Sequence, residues 1–425
     1  MKALMFGWEF PPHISGGLGT ASYGLTKGLA KSGVEILFVM PKASGDEDSS
    51  IGHIINASDV VSKTDVFLEN YWTNVNFLSI SSSLIPYLGF NDYEQLREES
   101  LHKGASVSHL GEKYTFSGKY GANLMEEVAR YAMVAATIAR ENEFDIIHAH
   151  DWLTYLAGIV AKKISGKPLV IHVHATEFDR SGESVNQAVY DLEKLGMEEA
   201  DAIMAVSNLT RNIVISKYNI PESKVFAVHN AVDFSETKAT GRNHSINEKI
   251  VTFLGRITFQ KGPEYFIEAA DKVAERLPGV RFVMAGSGDM MNRMVKRVAK
   301  LNLGSRFHFT GFLKGDDVNK MYSYSDVYVM PSVSEPFGIS PLEAMRSGVP
   351  VIISKQSGVS EILKHALKVN FWDVNALADA IYALLTYKGL NNMIVRSGLD
   401  EVNSFSWDSA AQLVKRIYID TLEKR

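Results

Sequence analysis

The chain has 425 residues, too many for one ordinary core, so two domains of roughly 200 residues are expected. Its 46% hydrophobic and 22% charged content fits a globular protein, and a net charge of −5 argues against general nucleic-acid affinity. Lack of cysteine excludes disulfides, thiolate metal ligands and a thiol nucleophile; no run reaches the roughly 18 apolar residues of a membrane span.

In chain order, a strand over residues 4–6 leads into the loop Ser15-Gly16-Gly17-Leu18-Gly19 and a helix over 20–31 closed by Gly33. Because Trp8-Glu9 follows the first apolar run at once, that run reads as a buried strand rather than a signal peptide, and a cytoplasmic location without stable membrane insertion is expected. Glycines in the loop let backbone approach a ligand, and the helix start favours an anion. The loop is neither the Gly-x-Gly-x-x-Gly fingerprint nor Walker A, so alone it equally describes a tight turn. A strand over 35–40 follows. Residues 42–130 are less regular, carry Tyr71, Trp72, Tyr87 and Tyr93, and read as strands and loops around the sheet. Asp46-Glu47-Asp48, in a polar loop, reads as structural.

Strands over 145–150, 169–174 and 202–206 come next. The first two carry His148/His150 and His172/His174, each pair on one face of its strand. Four imidazoles are a conceivable metal set, but the strand registers must match, and a buried sheet face more often bonds its histidines internally; no metal is assigned. His150 and His174, last in their strands, are best placed to reach a ligand. Asp151 and Trp152 add a carboxylate and a flat ring suited to a sugar, with a core role for Trp152 as the competing reading.

The polar, aperiodic stretch 234–248 reads as a linker. It sets domains at 1–235 and 248–405, with a last helix over 409–423 able to pack on either. Strands over 250–255, 280–285, 307–310, 327–330 and 349–353 restart the alternation, and Asp316-Asp317 complements the dipole of a helix over 318–324. Strands alternating with helices imply parallel sheets covered on both faces: an α/β fold of two doubly wound, Rossmann-like domains facing a central cleft.

Two segments of the second half carry chemistry. Gly255-Arg256-Ile257-Thr258-Phe259-Gln260-Lys261-Gly262 places two cations where a strand meets its loop, a pair able to neutralise a diphosphate. In Glu335-Pro336-Phe337-Gly338-Ile339-Ser340-Pro341-Leu342-Glu343, Pro336 holds Glu335 extended just past a buried strand, where open α/β sheets bind ligands. Ser340 to Glu343 has the form of a capping box opening a helix over 342–347. Its N–H groups suit a phosphate, and Glu343 either closes the box or meets ribose and sugar hydroxyls.

Together with His150-Asp151-Trp152 and Gly286-Ser287-Gly288, these segments resemble the retaining GT-B glycosyltransferases, nearest to the family-4 enzymes and the bacterial glycogen and starch synthases. The resemblance spans most of the chain and is strongest over 251–353. It implies that Arg256 and Lys261 bind the donor diphosphate. Glu335 is implied to contact donor sugar hydroxyls, with Phe337, Gly338, Ile339 and Ser340 near sugar and phosphate, and Glu343 to contact ribose. His174 is implied to lie beside the transferred sugar, Gly16 and Gly17 to approach the diphosphate, and His150, Asp151 and Trp152 to face the reacting sugar. His174, Glu335, Arg256 and Lys261 would be the catalytic set, acting without metal or other cofactor on UDP-glucose or ADP-glucose and a glucan acceptor. A lipid or exopolysaccharide acceptor, or a non-catalytic nucleotide-sugar-binding role, are the alternatives. Two departures stand out: Ile14-Ser15 replaces the Lys-Thr usual in glycogen synthases, and Asn230-Ala231-Val232-Asp233 replaces Asn-Gly-Val-Asp.

Overall fold

A computed structural model describes residues 1–12, 17–48, 52–62, 113–118, 120–121, 123–232 and 248–424. Gly16, the aromatic residues Tyr71, Trp72, Tyr87 and Tyr93, and the expected linker except Glu248 lie outside the described residues. The chain forms two compact units, Met1–Asn230 with Trp407–Arg425, and Ala231–Ser406.

In the first unit the described strands are β1 (Lys2–Phe6), β2 (Glu35–Met40), β3 (His53–Asn56), β4 (Ile146–His150), β5 (Leu169–Val173), β6 (Ala202–Ala205) and β7 (Val225–Ala227). They form one parallel sheet in the order β3-β2-β1-β4-β5-β6-β7. Helices α1 (Gly17–Lys31), α2 (Leu124–Glu141), α3 (Trp152–Ser165), α4 (Glu177–Ser181), α5 (Gln187–Glu199) and α6 (Asn208–Lys217) connect and cover it. Leu4, Phe6, Ile147, Ile171 and Ile203 are fully buried. That two-sided cover explains why these strands read as continuous apolar runs rather than alternating ones.

The second unit repeats the plan. Strands β8 (Lys249–Leu254), β9 (Val280–Ala285), β10 (Phe307–Gly311), β11 (Val327–Met330), β12 (Val351–Ser354) and β13 (Leu367–Val369) form a parallel sheet in the order β10-β9-β8-β11-β12-β13. Its helices are α7 (Pro263–Arg276), α8 (Met291–Lys300), α9 (Asp316–Tyr324), α10 (Ser340–Arg346), α11 (Val374–Thr386) and α12 (Lys388–Val402). In each sheet the strand order reverses beside the first strand, at β1/β4 and at β8/β11. Loops leaving the carboxyl ends of those strands diverge, and ligands of doubly wound sheets bind there.

The last helix, α13 (Trp407–Glu423), joins the first unit by packing on α1. Gly24 and Gly28, one turn apart on α1, make the close approach possible. A Cβ at Gly24 would fall 2.3 Å from the Trp407 indole, and one at Gly28 2.7 Å from the Trp407 carbonyl oxygen. The sequence pattern starts α1 at residue 20, but Gly17 to Gly19 are already helical. The modest cost of glycine in a helix, about 1 kcal/mol each, is outweighed by what the helix buries. No helix among the described residues is long and apolar enough to cross a membrane.

Gly28→Val should therefore lower the melting temperature, by an overpacking cost on the order of 1–3 kcal/mol, because its obstacle is backbone that cannot swing aside. Gly17→Ala, whose Cβ would meet nothing within 4 Å, should not lower it, as calorimetry of both variants would show.

Candidate functional site

At the second sheet's reversal, β8 delivers Arg256 and Lys261 and β11 delivers Glu335. Lys261 ends a short 3-10 turn, Phe259–Lys261, closed by Gly262 in the left-handed region at φ 64°. A Cβ at Gly262 would sit 2.2 Å from the Pro331 carbonyl oxygen, so glycine lets the β8 and β11 loops touch backbone to backbone. The Val333 N–H donates to the Gln260 carbonyl at 2.9 Å and fixes the contact. The Glu335 backbone is pinned from the other side: its N–H donates to Gln356 O at 3.0 Å, and its carbonyl accepts from Gly358 N at 2.8 Å.

These constraints bring Lys261 and Glu335 together as an ion pair, with Nζ donating to Oε2. The Ser332 hydroxyl donates to the same oxygen at 3.2 Å. Glu335 is buried while Lys261 keeps about a fifth of its side chain in solvent, so the ammonium is the partner free to turn outward. Arg256, half-buried, donates from Nη2 to Gln260 Oε1 at 3.1 Å. Two cations and one carboxylate thus occupy the ligand-binding edge of this sheet.

The glycine turn after Glu335 forms largely as expected, but the capping box does not. Gly338 takes φ 97°, and Phe337 is buried with its carbonyl accepting from Val359 N at 2.8 Å. Ile339 is already in right-handed helical conformation, so Ser340 is the first residue of α10 rather than its cap, and no side chain caps this end. Glu343 is therefore released from a capping role. It is half-buried and accepts from the Tyr322 hydroxyl at 3.4 Å; burial pushes its carboxyl above the usual range, against the pull of Tyr322 and Arg346.

At the first sheet's reversal, the residues divide differently. Gly17 is exposed at the start of α1. Asp151 lies between β4 and α3 at φ 64° and ψ 166°, a strained backbone for a residue with a side chain. It is buried, its Oδ1 has no partner, and burial raises its carboxyl to about 6 against the opposing pull of Arg180. His174, one residue past the observed end of β5, is half-buried with Nε2 3.1 Å from His150 Nδ1. Two expectations need correction: His150 and Trp152 are 0% exposed. Trp152 belongs to the core cluster around α3, and His150 is covered within a histidine stack, so in this structure neither offers a face to a sugar.

Two features escaped the sequence reading. Glu9, just past β1, is buried and accepts from the Tyr120 hydroxyl. Its signal was a carboxylate at a strand's carboxyl end, the same signal that marked Glu335. Behind His174, Arg180 pairs with Glu177 (3.0 Å) and with Glu193, all three buried, and Tyr218 donates to Glu193. Glu193 also accepts from Glu177 N at 3.0 Å, so the network fixes the start of α4 and the loop that carries His174. Burial dominates the Glu193 carboxyl and raises it to about 7. Its members are scattered over some 40 residues, and nothing local in the sequence links them.

The chain is similar to known proteins along its whole length. Residues 2–224 match the family described as starch synthase catalytic domain, and residues 235–399 match glycosyl transferases group 1. An uncharacterized glycosyltransferase of Methanocaldococcus jannaschii is 29% identical over 100% of this chain and 99% of its own length. The glycogen synthase of Mycobacterium tuberculosis is 23% identical over 99% of this chain and 94% of its own. Among solved structures, sucrose-phosphate synthase from Thermosynechococcus elongatus superposes with a TM-score of 0.74 at 18% identity, covering 100% of both chains. HepE from Anabaena, in complex with UDP-glucose, superposes at 0.66 and 17% identity, again over 100% of both. The fold is that of the GT-B glycosyltransferases, and the chain belongs to the starch synthase catalytic domain family.

Proposed function

We propose that this glycosyltransferase moves glucose, with retention, from a nucleoside-diphosphate glucose to an α-glucan. The Lys261–Glu335 pair at the carboxyl edge of the second sheet carries the reading. Breaking the donor's glycosidic bond leaves a diphosphate with growing negative charge and an oxocarbenium-like sugar. Arg256 and Lys261 match the first, and charge-assisted bonds to the leaving group strengthen as it departs. Glu335, released when Lys261 turns to phosphate, takes hydrogen bonds from sugar hydroxyls and orients the ring. The departing phosphate accepts the acceptor's proton on the same face, which preserves configuration.

The other assignments follow that frame. The backbone of Phe337, Gly338, Ile339 and Ser340 lines the sugar and phosphate, and Glu343, free of a capping duty, accepts from ribose hydroxyls. His174 stands beside the transferred sugar, held there by the Arg180 network, and Asp151 is its carboxylate neighbour. No step in this scheme calls for a metal ion in the reaction. Likeness to a glycogen synthase and to a UDP-glucose complex supports glucose as the sugar. A lipid-linked acceptor is the second reading. It is favoured by 27% identity, over 67% of this chain, to an Escherichia coli galactosyltransferase whose name specifies a diphosphoundecaprenol acceptor.

Incubation with radiolabelled UDP-glucose or ADP-glucose, with and without glycogen, tests this directly. Label should enter glycogen; label passing only to a lipid-linked sugar would favour the second reading, and donor binding with no turnover on any acceptor would leave a binding protein. Lys261→Gln and Glu335→Gln should each lower kcat/KM by on the order of 100-fold or more with an unchanged circular dichroism spectrum. Wild-type-like activity in both would remove the assignment. Omitting divalent cations from the assay should leave the initial rate unchanged within about twofold, whereas dependence on added magnesium would show that Arg256 and Lys261 do not suffice for the leaving group.

A further inference from the structure

We propose that the buried histidines of β4 and β5 form a transition-metal site, with His148, His150 and His172 as ligands, in the interior of the first unit. His148 and His150 lie two apart on β4, and His172 sits opposite His150 on β5, so all three project from the same face. The rings are stacked or tilted with centroids 4.1 to 5.6 Å apart. One donor nitrogen from each lies within 4.8 Å of the other two. Two imidazoles bound tetrahedrally to one ion, at metal–nitrogen bonds of about 2.0–2.1 Å, stand roughly 3.4 Å apart, so the donor atoms need to draw in by up to about 1.4 Å.

The outer hydrogen bonds show which nitrogens are open. His148 Nδ1 is 2.6 Å from the Tyr418 hydroxyl, and His150 Nδ1 is 3.1 Å from His174 Nε2. If both Nδ1 atoms carry the proton and donate it outward, Nε2 of each presents a bare lone pair inward. That is how metal-binding histidines are set, their second nitrogen anchored to a partner that fixes tautomer and ring orientation. Both Nε2 atoms, and both nitrogens of His172, are buried without a hydrogen-bond partner. As a purely structural stack these residues would leave four polar atoms unsatisfied, each at a cost of about 1–3 kcal/mol. One cation satisfies three of them.

An all-imidazole set selects zinc, copper, nickel, cobalt or iron over magnesium or calcium. The ion would tie β4 to β5 and, through Tyr418, to α13. It would sit behind His174 rather than in the reaction, so the inference stands whichever sugar the enzyme transfers.

The protein should be produced in minimal medium supplemented separately with zinc, cobalt, nickel or copper, passed through a chelator column, and assayed for metal by mass spectrometry. We expect about one metal ion per chain in the wild type and visible ligand-field absorption in the cobalt form. Loss of both is expected in His148→Gln and His172→Gln. Tyr418→Phe keeps all three ligands but loses the outer bond, and should fold while releasing metal to a competing chelator at 10- to 100-fold lower concentration. It decides the matter if the histidine variants fail to fold. Wild type carrying no metal from medium containing zinc, cobalt, nickel or copper would overturn the proposal and leave the space to water. Stoichiometric metal persisting in folded His148→Gln and His172→Gln would overturn it equally, as would unchanged retention in Tyr418→Phe.

Discussion

A lysine and a glutamate at the carboxyl edge of the second sheet must be neutralised by each other until something better arrives. Glu335 is buried with two donors on one oxygen, Lys261 and Ser332. Taking a charge out of water this far is costly unless it is paired and hydrogen-bonded. The surrounding backbone is arranged to hold this pair: Gly262 lets two loops meet, and the Gln356–Gly358 loop grips Glu335 from the far side. The outcome is a carboxylate with a fixed address and an ammonium that keeps about a fifth of its side chain in solvent. Under the proposed function, donor binding would turn the lysine side chain and leave the Glu335 backbone where these bonds hold it.

The two units use one strand order for different chemistry. Beside β8/β11 the reversal gathers cations and the Glu335 turn. Beside β1/β4 it gathers imidazoles and buried carboxylates, including Asp151 in a strained conformation and Glu9 under Tyr120. Backbone strain at a buried, incompletely bonded carboxylate persists only where the surroundings over-determine it. Here the Asp151 N–H donates to the His172 carbonyl at 2.9 Å, and the Thr154 N–H and hydroxyl both donate to the Asp151 carbonyl.

Much of the scaffold was legible in the sequence because continuous apolar strands and glycine-ended helices are local signals. β2, β9 and β11 fall on the expected residues, β1, β4, β5, β6, β8, β10 and β12 differ by one or two at their ends, and the short strands β3, β7 and β13 were not expected individually. Glu335 was legible for the same reason, since a proline and a preceding strand fix where it lies. What failed were readings that depend on distant segments. Ser340 matches a capping box in sequence, yet the turn from Gly338 brings Ile339 into helical geometry first and takes the cap position away. Trp152 looked like a sugar platform because the covering of its ring comes from residues across the first unit's core. The outer partner of His148, Tyr418, lies 270 positions further on, where no local pattern links the two. Periodicity reports which face of an element is apolar; it does not report what will lie against it.

The central claim is that Lys261 trades Glu335 for the donor's diphosphate. The most direct measurement is a crystal structure of the full chain soaked with a nucleoside diphosphate. The account predicts Lys261 Nζ within hydrogen-bonding distance of a phosphate oxygen, Arg256 on the same diphosphate, and Glu335 no longer in contact with the ammonium. A diphosphate bound elsewhere, with the Lys261–Glu335 pair still closed, would contradict it.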